Sequence, residues 1–318
     1  MARTIEFDCV VCGCTTLDLM IGPVKLNEPI GKGGASHVDP IQAMVGGITS
    51  NSGTALARLG MRVAVLGYVG QDLWAEFIRK KLMAEGIDCT GLLTHPNQST
   101  CTIAILVDAQ KEHGILGHPA ASSHFNRNLI LDHLDLFARS RWCLFGYYGR
   151  VSQVTEDLPF VMEEIKKTGC LTAMDTDNSG ISMEPLDRIF PNLDIYLPNE
   201  VQAESQTGES DPEKMIAVYR EVGATGLLGI KLGAEGALIS PEAGKIFKVS
   251  AVSPPEPLCD TLGAGDSFFA GLIAGLSRGL SVEDAGKLAA ATGACNVSAA
   301  GGTTGLRSYS ETAALAGL

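Results

Sequence analysis

Asp266 closes the run Cys259-Asp260-Thr261-Leu262-Gly263-Ala264-Gly265-Asp266, just where an apolar helix is predicted to begin. Gly263 and Gly265 flank the small Ala264, so backbone amides there can approach a ligand closely. A helix N-terminus presents unpaired N–H groups and about +0.5 of a charge. Together these make an anion hole suited to a transferring phosphoryl group. A carboxylate beside such a hole can accept the proton of an attacking hydroxyl. Asp is equally common at this place as an N-cap, so the run by itself leaves both roles open.

A second set lies near the N-terminus. Gly46-Gly47-Ile48-Thr49-Ser50-Asn51-Ser52-Gly53 puts paired glycines before a helix, and Asn51 offers a donor and an acceptor to hydroxyl groups. A tight turn capped by Asn51 would need the same residues. Asp18 follows the first predicted strand, where an Asp is usually a turn residue. Asp175-Thr176-Asp177-Asn178 closes a strand at the sheet edge where open α/β sheets bind ligands, and reads as a solvated turn. Pro198-Asn199-Glu200-Val201-Gln202 reads as a strand end with Asn199 capping a helix, and Lys231-Leu232-Gly233-Ala234-Glu235-Gly236 as a hairpin turn. His113, His118 and His124 lack the spacing of a helical ligand pair and read as surface turns.

These residues need a scaffold, and the pattern supplies one. Helices are predicted near 48–59, 72–85, 127–138, 156–168, 200–206, 212–222, 264–278 and 282–299. Strands are predicted near 7–14, 62–68, 142–146, 170–175, 194–197, 226–231, 236–240 and 246–250. Strands separated by helices imply an α/β fold with a mainly parallel sheet covered on both faces. Two Pro- and Gly-flanked β excursions, near 15–45 and 96–122, break that rhythm and read as one small β lid. The expected division is a core of 1–13, 46–95 and 123–318 with a lid of 14–45 and 96–122. Gly271, Gly275 and Gly279 recur every four residues and predict close packing of their helix against the sheet.

Composition narrows the function. The 318 residues are 45% hydrophobic and 19% charged, which suits a globular chain. The net charge of −12, with no basic run beyond Arg79-Lys80-Lys81, argues against a nucleic-acid partner. No stretch approaches the ~18 apolar residues of a membrane span, and the first residues lack a signal-peptide pattern. The nine cysteines read as reduced thiols, so the cytoplasm is the expected address. Cys9-x-x-Cys12-x-Cys14 lacks the second pair that structural zinc requires. No GxxxxGKS/T P-loop is present, and Gly31-x-Gly33 is too short for a dinucleotide fingerprint.

The stretch from Asp260 to Ile273 resembles the C-terminal signature of the PfkB/ribokinase carbohydrate kinases, and Gly46–Gly53 resembles their N-terminal one. The resemblance implies a ribokinase-like core with a β lid, and transfer of the ATP γ-phosphoryl group, with Mg²⁺, to a hydroxyl of a small sugar. It makes Asp266 the base, with Gly263, Ala264 and Gly265 in the anion hole, and gives substrate contacts to Asp18, Gly46, Gly47 and Asn51. Asn199, Lys231, Gly233, Gly236 and Asn296 fall on the family's nucleotide side, where a potassium site is often found. A homodimer through the lid is a further implication. Three residues depart from the pattern. Thr49 and Gly53 stand in the sugar-side motif, and Gln202 replaces the Glu of an Asn-x-x-Glu element that helps position magnesium. A nucleoside kinase is the runner-up. Gln202 would also suit a non-catalytic sugar or nucleotide sensor, whereas Asp266 argues against one.

Overall fold

The computed structural model describes residues 4–27, 37–110, 112–151, 153–176 and 182–318. Its strands are β1 (Phe7–Gly13), β2 (Thr16–Ile21), β3 (Gln42–Gly46), β4 (Val63–Val69), β5 (Leu92–Thr94), β6 (Thr102–Val107) and β7 (His113–His118). β8 (Ser140–Gly146), β9 (Leu171–Met174), β10 (Ile195–Tyr196), β11 (Leu227–Lys231), β12 (Ala237–Glu242) and β13 (Lys245–Val249) follow.

Nine strands form one sheet in the order β13-β12-β11-β10-β9-β8-β1-β4-β5. It is parallel from β5 to β11, and β12 and β13 extend it antiparallel. A sheet covered on both faces needs strands that are apolar on both faces. β1 meets that condition, since Cys9, Val10, Val11 and Cys12 are all fully buried. Cys9 and Val11 belong to one core with Val63, Val65 and Phe269, and Val10 and Cys12 to the other with Ala64, Leu66 and Phe145. The period of two therefore sends neighbouring cysteines to opposite faces. All nine cysteines are free, and among the described residues no cluster of three or more His, Cys, Asp or Glu could hold a metal.

The second sheet has the order β3-β2-β6-β7, with β2 and β6 parallel and the outer pairs antiparallel. It is built from the two segments that break the core's rhythm. Pro29, Gly31, Gly33 and Gly34 lie outside the described residues. His113 and His118 begin and end β7 rather than sitting in turns, because the Asp108 carboxylate takes the Gln110 and Glu112 amides and so closes the bend before His113.

The helix Ala264–Ser277 is apolar all round and buried from Asp266 to Gly275. Its glycines pack against a neighbouring helix, Val282–Asn296, and not against the sheet as the sequence reading expects. A Cβ at Gly275 would lie 2.8 Å from the Ala285 Cα, and one at Gly271 2.7 Å from the Ala289 Cα. Overpacking of that kind costs about 1–3 kcal/mol. Gly279 does not share this contact; it ends the helix with φ 78. Among the described residues no helix is long and apolar enough to cross a membrane.

Candidate active site

Five adjacent strands, β11, β10, β9, β8 and β1, deliver polar side chains to one edge of the large sheet. Lys231 ends β11, Asn199 follows β10, Asp175 follows β9, Tyr147 follows β8, and Asp18 lies in β2 just after β1. All sit at the carboxyl ends of parallel strands, where open α/β sheets place their ligands.

Asp266 is 4% exposed, in the first turn of the helix Ala264–Ser277. Its Oδ2 accepts hydrogen bonds from Asn51 Nδ2 at 2.8 Å and from the Tyr147 hydroxyl at 2.6 Å. Among the described residues no group bonds to Oδ1. Burial, with the Asp175 charge nearby, pushes the carboxyl up to about 6, against the opposing pull of Tyr147, Asn51 and Lys231. Ser52 Oγ donates to the Asp266 backbone carbonyl at 3.1 Å, so the helix Ile48–Arg58 is fastened to the start of the Asp266 helix.

Gly263 is the N-cap at φ 74 and ψ 3, and a Cβ there would lie 2.9 Å from the Gly302 Cα. Only glycine meets both conditions. Gly302 in turn packs on the Asn51 amide, and Asn296 Nδ2 holds the Gly302 carbonyl at 2.6 Å. Asn296 is fully buried and reaches the site through that loop. Asp260 caps the same loop, accepting from the Gly301 amide at 2.9 Å and the Leu262 amide at 3.0 Å.

Asp18 is 8% exposed and accepts the Thr16 hydroxyl at 2.7 Å. Burial raises it to about 6, with the Thr16 bond pulling the other way. Its carboxylate lies against Gly46, where any Cβ would overlap it, and Gly47 begins the next helix at φ 77. The two departures in this motif face elsewhere. Thr49 is buried with its hydroxyl 2.7 Å from that of Thr15, and Gly53 faces Ile87 and Val65 in the core.

On the other side of Asp266, Lys231 Nζ contacts both Asp175 oxygens, at 3.0 and 3.1 Å. Asp175 is 1% exposed, which corrects its reading as a solvated turn: a cation at the end of β11 balances its charge inside the protein. Asp177 and Asn178 lie outside the described residues. A Cβ at Gly265 would lie 3.3 Å from Lys231 Nζ, so the lysine borders the turn that begins the Asp266 helix. Gly233 opens a 3-10 turn between β11 and β12, and Gly236 ends it with φ 95.

Gln202 forms a capping box with Asn199. The Asn199 amide donates to Gln202 Oε1 at 2.7 Å, and the Gln202 amide to Asn199 Oδ1 at 2.8 Å. Gln202 Nε2 also donates to the Thr176 carbonyl at 3.2 Å. A glutamate could close the box but could not make that last bond. Glu200 and Glu204 are exposed.

Comparison with known proteins gives this edge its context. The profile of the pfkB family carbohydrate kinases matches residues 8–308. The chain belongs to the pfkB family of carbohydrate kinases. Among pfkB relatives, it is 29% identical over 294 residues to a 2-dehydro-3-deoxygluconokinase of Bacillus subtilis, covering 86% of this chain and 87% of that one. It is 27% identical over 277 residues to a ribokinase of Haemophilus influenzae, covering 85% and 87%. The Arabidopsis thaliana ribokinase complexed with ribose and ATP superposes with a TM-score of 0.86 at 20% identity, over 100% of both chains. An Escherichia coli structure in complex with ATP and Mg²⁺ follows at 0.82 and 20% identity, over 97% and 98%. The fold of this pfkB kinase is thus ribokinase-like, with the four-stranded sheet as its lid.

Tyr147 is the residue that sequence reasoning misses. It stands one residue past the strand expected over 142–146 and belongs to no motif. The one available signal is a polar-tipped ring directly after the strand's last glycine.

Proposed function

We propose that this kinase transfers the γ-phosphoryl group of ATP to a hydroxyl of a small sugar or sugar acid, with Asp266 as base. The observation that carries the reading is the Asp266 carboxylate, buried at a helix N-terminus with one oxygen held by two donors and the other unbonded. The acceptor hydroxyl would give its proton to Oδ1 while its oxygen bonds to phosphorus and the bond from phosphorus to the ADP oxygen breaks. The amides of Gly263, Ala264 and Gly265 would receive the charge spread over the transferring group. Asp18, Gly46, Gly47 and Asn51 would hold the sugar, and burial of Asp18 among few donors suits it to accept sugar hydroxyls.

Lys231 and the turn from Gly233 to Gly236 would take the nucleotide side, with Asn199 and Asn296 shaping its walls. When bound, magnesium neutralises phosphate charge and keeps much of its water. Asp175 is the carboxylate beside the hole that would meet it, and the capping box already occupies Gln202 Oε1. A potassium ion would belong to the loop that Asn296 holds. The Oδ1 of Asn296, buried and without a partner among the described residues, is an oxygen suited to it.

The lid, which we take as residues 14–45 and 96–122 on a core of 1–13, 46–95 and 123–318, would close over the sugar and exclude water. Exposed Ile115 and Leu116 on β7 are where we place a homodimer contact. Free thiols and the need for ATP favour the cytoplasm.

The test is ADP release across a panel of pentoses, hexoses, sugar acids, phosphosugars and nucleosides. One acceptor should turn over strongly, and Asp266→Asn should lower kcat by roughly 10²–10⁴. Near-normal turnover in that variant would remove Asp266 from the chemistry.

A further inference from the structure

We propose that Tyr147 is a positioning residue for the transfer, its hydroxyl fixing the Asp266 carboxylate so that a single oxygen faces the acceptor. This inference rests on the reading of Asp266 as the base. The hydroxyl of Tyr147 lies 2.6 Å from Asp266 Oδ2, the oxygen that also takes the Asn51 amide. Two donors converging on one oxygen fix the rotation of the carboxylate and leave Oδ1 for the substrate.

The backbone around Tyr147 is built for this contact. Tyr147 has φ 57 and ψ 43, a left-handed conformation seldom adopted by residues with a bulky side chain. Such conformations persist where the surroundings over-determine them, and they cluster at active sites. Here the next residue supplies the restraint. Tyr148 is fully buried, and its hydroxyl takes a hydrogen bond from Gln206 Nε2 at 3.3 Å. Gln206 Oε1 accepts the hydroxyls of Tyr196 at 2.9 Å and Tyr219 at 2.5 Å. A buried polar cluster therefore pins one tyrosine while the turn aims its neighbour at the base. Gln206 lies on the helix Glu200–Thr207, which the Asn199–Gln202 box begins. One helix thus connects the nucleotide edge of the site to the turn beneath Tyr147.

The groups facing Asp266 are Asp175 after β9, Lys231 at the end of β11, Tyr147 after β8 and Asn51 on the helix Ile48–Arg58. Of these, Asp175 favours the protonated acid and the other three favour the carboxylate. Removing the Tyr147 hydroxyl should make the base harder to ionise.

The experiment is the pH profile of kcat for wild type, Tyr147→Phe and a variant carrying a ring-fluorinated tyrosine at 147. Tyr147→Phe keeps the ring and should move the acid limb up by about one pH unit. Turnover should then fall about fivefold near pH 6, about tenfold near pH 5 and less at higher pH, with the KM for ATP unchanged. The fluorinated ring has the same shape and donates more strongly, so it should move the limb down. If Tyr147→Phe does not fold, the fluorinated variant decides alone. An acid limb that stays at the wild-type position in a folded variant, while Asp266→Asn is inactive, would reduce Tyr147 to a packing residue. Persisting activity in Asp266→Asn would instead overturn the assignment of the base.

Discussion

Asp266→Asn is expected to raise stability at neutral pH while it abolishes turnover. The carboxyl goes from an ordinary value of 3.8 to about 6 in the folded protein, because it is buried beside Asp175. The native state therefore holds this proton more tightly than the unfolded chain does. Stability from this group is complete below 3.8, declines as pH rises, and is lost above about 6. A shift of roughly two units at ~1.4 kcal/mol each puts the penalty at neutral pH near 3 kcal/mol. Asparagine has nearly the same shape, carries no charge, and its carbonyl oxygen can still accept from Asn51 and Tyr147. With an unfolding entropy of ~2 cal/mol/K per residue, the gain corresponds to about 4 °C in Tm. Thermal unfolding of both proteins near pH 7.5 and near pH 4 tests this. The variant should be more stable at the higher pH, and the difference should nearly vanish at the lower, where wild-type Asp266 is itself protonated. No gain near pH 7.5, or an equal gain at both pH values, would refute the electrostatic argument.

Gln202→Glu should lower stability by about 1–3 kcal/mol in denaturant titrations, since it turns a donor to the Thr176 carbonyl into a second acceptor. The Mg²⁺ dependence of turnover should not improve, and a markedly lower Mg²⁺ requirement would show that the position can serve the metal after all. Lys231→Met leaves the Asp175 carboxylate buried without its cation and should cost about 3–5 kcal/mol. It should also raise the KM for ATP more than that for the sugar. A stable variant with a wild-type ATP KM would take Lys231 out of the nucleotide site.

What could be read from the sequence was whatever depends on local pattern. The apolar run Cys9–Cys12 of β1, the glycines before the helices Ile48–Arg58 and Ala264–Ser277 and the alternation after residue 126 all carry their structure in neighbouring residues. Boundaries shifted where tertiary contacts took over. The helix expected over 127–138 is two short ones, Arg127–Leu131 and Leu134–Ala138, because His133 leaves helical geometry at φ −123 and ψ 25. The helix Tyr309–Ala316 carried a legible capping box, Ser308-x-x-Glu311, that the expectations passed over. The misses in the site share one cause. Asp175 looks like a solvated turn until Lys231, 56 residues later, lies against it. Tyr147 draws no notice in the sequence, because its left-handed backbone brings its hydroxyl to Asp266, 119 residues away. Gln202 looks like a lost metal ligand until the Thr176 carbonyl appears as its partner.

The bond from Ser52 to the Asp266 backbone has a consequence for how substrate preference can change. It fastens the helix Ile48–Arg58, which carries Asn51, to the helix that begins beside Asp266, so Asn51 and Asp266 keep a fixed separation. If Asp266 is the base and Asn51 holds the sugar, as proposed, the hydroxyl phosphorylated would be the one that reaches Asp266 when the sugar is seated at Asn51. Lengthening the sugar by one carbon would bring a different hydroxyl to the mark without moving any catalytic atom. On that proposed reading, regioselectivity would be a property of the scaffold, while affinity would drift with the lid that carries Asp18.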